Sequence, residues 1–275
     1  MSKRYVVVDQ NVLRKEVLRD LLVSSRATHF VVPDLAFLEM TKTLQWEQTL
    51  RGSFAILSTA RSRVVVSHSV GDALKTELTR RSPVNGRMLH QEATDFVRDI
   101  LQSVRDGSTG HGIARIKSDS KNHRDALAND HLDHDSNKTQ LNGLIASTKA
   151  MLPGEFAKRL RAKKVQPIER LDVIFQVATA LLPGILADAG FTNQRARALI
   201  KRKPMLLRYM YLKAWQCLNW IEMGGFECLP SNKVTNDQLD HEYILTATFF
   251  HGLLSEEPRV NQAYQDLLLL IHRKV

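Results

Sequence analysis

The chain has 275 residues, 43 % of them apolar and 25 % charged, an ordinary globular balance that excludes a disordered or fibrous chain. Lys and Arg number 39 against 29 Asp and Glu, a formal charge of +10 with a pI near 9.7, which favours an anionic partner and above all nucleic acid. Two cysteines, Cys217 and Cys228, are too few for a disulfide framework. The apolar stretches, such as 173–185, fall short of a membrane span. The first residues enter a strand without a leader-like apolar segment, so no membrane partner and a cytoplasmic location are expected.

Tyr5-Val6-Val7-Val8 is a β-branched run that reads as a buried strand ending at Asp9. Asn11, Val12, Leu13, Val17, Leu18, Leu21 and Leu22 then recur at helical spacing. His29-Phe30-Val31-Val32-Pro33 is a second strand, and Pro33-Asp34 opens a helix that carries Glu39 one turn on. Helix continues over 46–60, Arg63-Val64-Val65-Val66-Ser67 is a third strand, and 71–81 is a helix closed by Ser82-Pro83-Val84-Asn85-Gly86. A helix follows over 88–103. The polar, aperiodic segment 106–138 reads as an extended loop. Within it His123, Asp130, His131, Asp133, His134 and Asp135 look like metal-ligand material, but a zinc site needs better spacing and a folded scaffold, and a hydrated loop is the preferred reading. Residues 168–182 form an apolar helix that stops at Pro183-Gly184. Thr192 caps a helix through Lys201, and Pro204 opens a long one ending near Gly224-Gly225. A helix over 236–250 precedes a fourth strand at 252–255, and 267–271 is either an edge strand or a helix end.

In a parallel sheet the strand carboxyl ends and the following helix N-termini gather on one edge. Asp9 and Glu257 fall at strand ends, and Glu39 and Asp240 on first helical turns. A sheet closing over these elements brings the four carboxylates to one pocket. Asp9 by itself also reads as a helix cap. Crowded carboxylates repel unless a cation neutralises them, and hard oxygen ligands suit Mg²⁺ or Mn²⁺ rather than zinc. An ion so held acidifies bound water and clamps a phosphodiester for in-line attack.

The order of these pieces resembles the PIN domain, a metal-dependent ribonuclease fold. The matching stretches are Val6-Val7-Val8-Asp9-Gln10-Asn11-Val12-Leu13, Val32-Pro33-Asp34-Leu35-Ala36-Phe37-Leu38-Glu39, Asn236-Asp237-Gln238-Leu239-Asp240-His241-Glu242-Tyr243-Ile244-Leu245 and Leu253-Leu254-Ser255-Glu256-Glu257. The resemblance implies an α/β class: a PIN-like parallel sheet flanked by helices and interrupted by a large, mostly helical insertion. Residues 1–84 and 226–275 would form the two halves of the core and 85–225 the insertion. It also implies Asp9, Glu39, Asp240 and Glu257 as ligands of Mg²⁺ or Mn²⁺, with Ser255 beside them. Glu257 stands where the family usually has Asp. Asp237 competes with Asp240, and Glu242-Tyr243 after Asp240 favours the latter. Asn11 is a further candidate, for the metal's water shell or the substrate. Asp34 reads as a helix-start residue and Glu256 as solvent-facing.

Between residues 158 and 213 thirteen Lys and Arg face three acids, Glu169, Asp172 and Asp188. Lys158, Arg159, Arg161, Lys163, Lys164, Arg195, Arg197, Lys201, Arg202 and Lys203 are the candidates for phosphate contact; a solvated helix face is the plain alternative. Phe156, Tyr209, Tyr211 and Trp215 offer rings for base stacking, although at helical spacing such rings more often belong to the core. The expected activity is a metal-dependent endoribonuclease, with tRNA or another structured RNA as substrate. By resemblance its setting is a toxin restrained by an antitoxin or regulatory protein, a defence effector, or RNA processing, and it is open to oligomerisation. The alternative is a catalytically silent PIN-like module that binds RNA or protein. A flap-type DNA nuclease lacks any signal of its own. An aspartate-nucleophile phosphatase is disfavoured, because Asn11 replaces the second Asp of its motif.

Overall fold

The computed structural model describes residues 3–41, 44–118 and 134–273. The first half contains β1 (Arg4–Val8), α1 (Glu16–Ser24), β2 (Thr28–Pro33), α2 (Asp34–Thr41), α3 (Trp46–Ser58), β3 (Val64–Ser67), α4 (Val70–Arg80), α5 (Gln91–Arg105) and α6 (111–118). The second contains α7 (His134–Met151), α8 (Phe156–Arg161), α9 (Pro167–Asp188), α10 (Asn193–Lys201), α11 (Met205–Glu222), α12 (Ser231–Ala247), β4 (Leu253–Leu254) and α13 (Pro258–His272). The six-residue metal-like cluster expected at 123–135 lies outside the described residues or, for His134 and Asp135, at their very edge.

The chain divides into two compact units. A sheet unit comprises Met1–Asp72, Gly86–Leu132 and Glu242–Asn261, and a helical unit comprises Ala73–Asn85, Asp133–His241 and Gln262–Val275. These limits differ from the 1–84, 85–225 and 226–275 read from sequence. The reason is packing: α5 lies on β3 and α3, burying Val97, Ile100 and Leu101, so it belongs with the sheet.

All four strands are parallel, in the order β3-β2-β1-β4. The sheet is flanked by helices, an α/β fold. Val7, Val8, Phe30, Val31, Val32, Val64 and Val66 are wholly buried; a strand covered on both faces reads as a continuous apolar run rather than an alternation. The chain leaves β1 for β2 on one side and returns as β4 on the other, so strand order reverses between β1 and β4. Open α/β sheets form crevices at such points. A 3-10 turn at Gln10–Val12 follows Asp9 and drops Val12 and Leu13 into the core. The helix therefore starts only at Glu16, and Val17 is exposed.

In the helical unit α11 is the centre. Fifteen of its 18 residues are buried, the pattern of a helix enclosed on every side. Cys217 and Trp220 pack there with Leu141, Ile145, Phe226, Leu229 and Val234. Pro204 leaves the first amides of α11 without a side-chain cap of its own. Glu77 supplies the acceptors instead: Met205 N–H donates to Oε1 at 2.8 Å and Leu206 N–H to Oε2 at 3.0 Å. Gly224 and Gly225, at φ +104° and +116°, end the helix.

Several sequence expectations change, and the segment 106–138, read as an extended loop, carries α6 over 111–118. Pro183 does not stop α9, which runs on to Asp188. A proline inside a helix costs about 3 kcal/mol, and the burial of Leu182 and Leu186, worth about 1.5–3 kcal/mol each, offsets it. By length and composition α9 is the one helix among the described residues that meets the criteria for crossing a membrane, although no stretch was expected to; its apolar side packs on α11. α12 begins at Ser231 rather than near 236. The last segment is helical throughout α13, where Val260, Ala263, Tyr264, Leu267, Leu270 and Ile271 make the buried stripe.

Candidate functional site

Asp9 is held by the pairing of β1 with β4. Its N–H donates to the Leu254 carbonyl at 3.0 Å, and the residue is only 6 % exposed. Because Val8 lies opposite Leu254, the next residue of β4 comes alongside Asp9, and Ser255 Oγ donates to Asp9 Oδ2 at 2.6 Å. That hydroxyl accepts from Glu257 N–H at 3.1 Å. Asn261 Nδ2 donates to the Ser255 carbonyl at 2.8 Å, tying the start of α13 to the turn. Asn11 Nδ2 donates to Glu257 Oε1 at 3.1 Å, while Asn11 Oδ1 is buried with no hydrogen-bond partner. Asp9, Asn11, Ser255 and Glu257 thus form one cluster at the point where strand order reverses.

The cluster is electrostatically strained. Burial pushes the Asp9 carboxyl above its ordinary value, and the Glu257 carboxylate adds to the rise. The Ser255 hydroxyl and the Asn11 and Gln10 amides pull the other way without cancelling it. A carboxyl raised by a like charge beside it is the situation a bound cation relieves. Glu256 points away, in an exposed ion pair with Lys15 at 3.1 Å.

Glu39 is the sixth residue of α2, one turn later than a first-turn position. It accepts from Tyr243 Oη at 2.5 Å. Next to Tyr243, Glu242 Oε2 accepts from the Val70 N–H at the start of α4 at 2.9 Å. The sequence marked this Glu-Tyr pair only as company for Asp240; its contacts make it a support for Glu39 and α4. Such roles have no local sequence signal, since the partners are 204 and 172 residues away.

Asp240 is half-buried and sits in the middle of α12, not on its first turn, because the helix starts at Ser231. It belongs to the helical unit, whereas Asp9, Glu39 and Glu257 belong to the sheet unit. Asp237 is buried and accepts from Gln216 Nε2 at 2.9 Å and Trp220 Nε1 at 2.8 Å, with Lys233 at 3.5 Å. Its environment is that of a structural acid in the helical core. Among the described residues no three His, Cys, Asp or Glu side chains are grouped as a metal-binding set. The oxygens gathered around Asp9 are two carboxylates, an amide oxygen and a hydroxyl, a hard donor set of the kind that accepts Mg²⁺ or Mn²⁺ along with water.

The basic candidates lie on the outside of the helical unit. Lys158, Arg159 and Arg161 are on α8, with Lys163 and Lys164 beyond it; Arg195, Arg197 and Lys201 are on α10, followed by Arg202 and Lys203. All are exposed except the half-buried Lys203. Lys158 pairs with Glu155 at 3.0 Å, and Arg159 with Glu169. Two other basic residues of this stretch are interior. Lys213 is buried against Gln238 and His241. Arg208 is buried, and its guanidinium is lowered to about 10 by desolvation, with Glu77 opposing the fall. Phe156, Tyr211 and Trp215 are core residues, so they are closed to base stacking. No protein family, curated protein or solved structure matches this chain.

Proposed function

We propose that this protein is a PIN-like, Mg²⁺- or Mn²⁺-dependent endoribonuclease acting in the cytoplasm. The observation that carries the reading is the Asp9 cluster: a buried carboxylate pushed up by its own burial and by Glu257, beside an unpartnered amide oxygen of Asn11, at the reversal point of a parallel sheet. Asp9 and Glu257 would hold the ion, with Asn11 Oδ1 and Ser255 completing or orienting its shell. Glu39, positioned by Tyr243, is the further ligand in this reading. The bound ion would supply an acidified water and a charge clamp for the scissile phosphate. The exposed Lys and Arg of α8 and α10 attract the RNA backbone, and this attraction weakens with salt.

The test is incubation of the purified chain with structured and single-stranded RNA in Mn²⁺, Mg²⁺ or EDTA, beside Asp9→Asn and Glu257→Gln. Cleavage is expected only with metal. It should fall by about 100-fold or more in each variant, at or beyond the upper end of second-shell losses. Salt-sensitive RNA binding without cleavage, unchanged by Asp9→Asn, would replace the enzyme with a silent RNA-binding module. Absence of both would favour a protein partner such as an antitoxin.

A further inference from the structure

A cavity of about 390 Å³ opens within the sheet unit beside β3. Its floor is aromatic, from Phe37 of α2 and Phe96 of α5, both half-buried. Its rim carries both signs, Asp34 and Glu92 against Arg115, with the His90 imidazole beside them. Arg115 lies over the Phe96 ring, 5.2 Å from its centroid. His90 Nδ1 accepts from the Ala93 N–H at 3.3 Å, capping α5. The Phe37 ring is steadied by Phe54, with centroids 5.4 Å apart.

We infer that this cavity is a nucleobase pocket. The volume is at the lower end for small-ligand sites, roughly 300–1,000 Å³, and suits one nucleoside. A flat heteroaromatic ring gains stacking on Phe37 and Phe96, and its exocyclic amino and carbonyl groups meet carboxylate acceptors and Arg or His donors around one mouth. An aliphatic side chain of a protein partner would desolvate those charges with no hydrogen bond in return.

The pocket also has a defined place relative to Glu39. Asp34 and Phe37 share a face of α2 by i, i+3 spacing, and Glu39, two residues on, points to the other side. One helix, about 10 Å across, therefore separates the pocket from the Glu39–Tyr243 pair. An RNA strand running across this edge of the sheet puts a base in the pocket while a neighbouring phosphate lies on the acidic side. This role in RNA recognition rests on the nuclease reading; the pocket itself does not.

The test is saturation-transfer NMR of the full chain in EDTA with AMP, GMP, CMP and UMP and with an RNA tetranucleotide. Wild type and Asp9→Asn are expected to bind mononucleotides alike. Phe96→Leu, which keeps apolar bulk and removes the ring, should weaken binding by about five- to 150-fold, since stacking is worth about 1–3 kcal/mol per base. Glu92→Gln, at an exposed rim position, should change the order of preference among the four bases. Tighter binding of the tetranucleotide assigns the pocket to an RNA strand; equal binding assigns it to a free nucleotide. Undetectable mononucleotide binding, or wild-type affinity in a Phe96→Leu protein of unchanged melting temperature, overturns the proposal. Failure of the nuclease reading is seen separately, as absence of metal-dependent cleavage.

Discussion

Two buried carboxylates, one in each compact unit, show what distinguishes a structural acid from a site. Glu77 is 1 % exposed and Asp9 6 %, and burial is the largest upward push on each. Their neighbours differ. Glu77 accepts from the amides of Val84, Met205 and Leu206 and feels the positive charge of Arg208. Asp9 has the Ser255 hydroxyl and two nearby amides, and its closest charge is another acid, Glu257. Glu77 is answered from within the protein and serves as a remote cap for α11. Asp9 is answered only in part, and the charge beside it is a second carboxylate. Burial alone does not separate the two; the sign of the neighbouring charge does.

The comparison breaks first at Glu77. Glu77→Ala leaves three buried amides without an acceptor and Arg208 without its counter-charge. It is expected to destabilise by about 3–5 kcal/mol, read as a lower urea midpoint. A loss below about 1 kcal/mol would mean that α11 does not depend on this cap.

The next largest effect belongs to the metal. At 100 times its dissociation constant Mn²⁺ should stabilise wild type by about 2.7 kcal/mol, raising the melting temperature by roughly 5–10 °C in a chain of this size. Asp9→Asn should abolish the shift, and Asn11→Ala should weaken Mn²⁺ binding by about tenfold through loss of the amide oxygen. An equal shift in wild type and Asp9→Asn would place the ion elsewhere.

The smallest effect is on the metal-free protein. The Asp9 carboxyl titrates above its ordinary value of 3.8 in the folded state. Between 3.8 and that raised value the native state therefore holds more protons than the unfolded one. Stability contributed by this group is present at low pH and falls as pH rises through that window. Asp9→Asn removes the penalty while the amide oxygen still accepts from Ser255. In EDTA at pH 7 it should gain about 0.5–2 kcal/mol, the usual size of a stabilising change, and the gain should vanish below pH 3.8. Destabilisation at pH 7 would make Asp9 a structural acid like Glu77.

Much of this frame was legible in order along the chain. Runs such as Val6–Val8 and Val64–Val66 are β-branched and bounded by polar residues, so strand identity is written locally, as are the Thr192 cap of α10 and the Gly224-Gly225 stop of α11. The errors came where packing overrode a local rule. Pro183 reads as a stop, yet α9 continues because Leu186 buries beyond it. α12 starts at Ser231 rather than near 236, which puts Asp240 in mid-helix rather than on a first turn.

Local pattern by itself determined the α/β class, the strand-end placement of Asp9 and the basic character of 158–213, because backbone propensity and apolar periodicity act over a few residues. Only the tertiary structure decided that β4 returns beside β1, so that Ser255, Glu257 and Asn11 gather on Asp9. It alone showed Arg208, Lys213, Tyr211 and Trp215 to be interior, and set Glu77 at the head of α11. Each of these depends on contacts between residues far apart in the chain. Their energies come from desolvation and from the sign of the neighbouring charge, which a linear pattern does not carry.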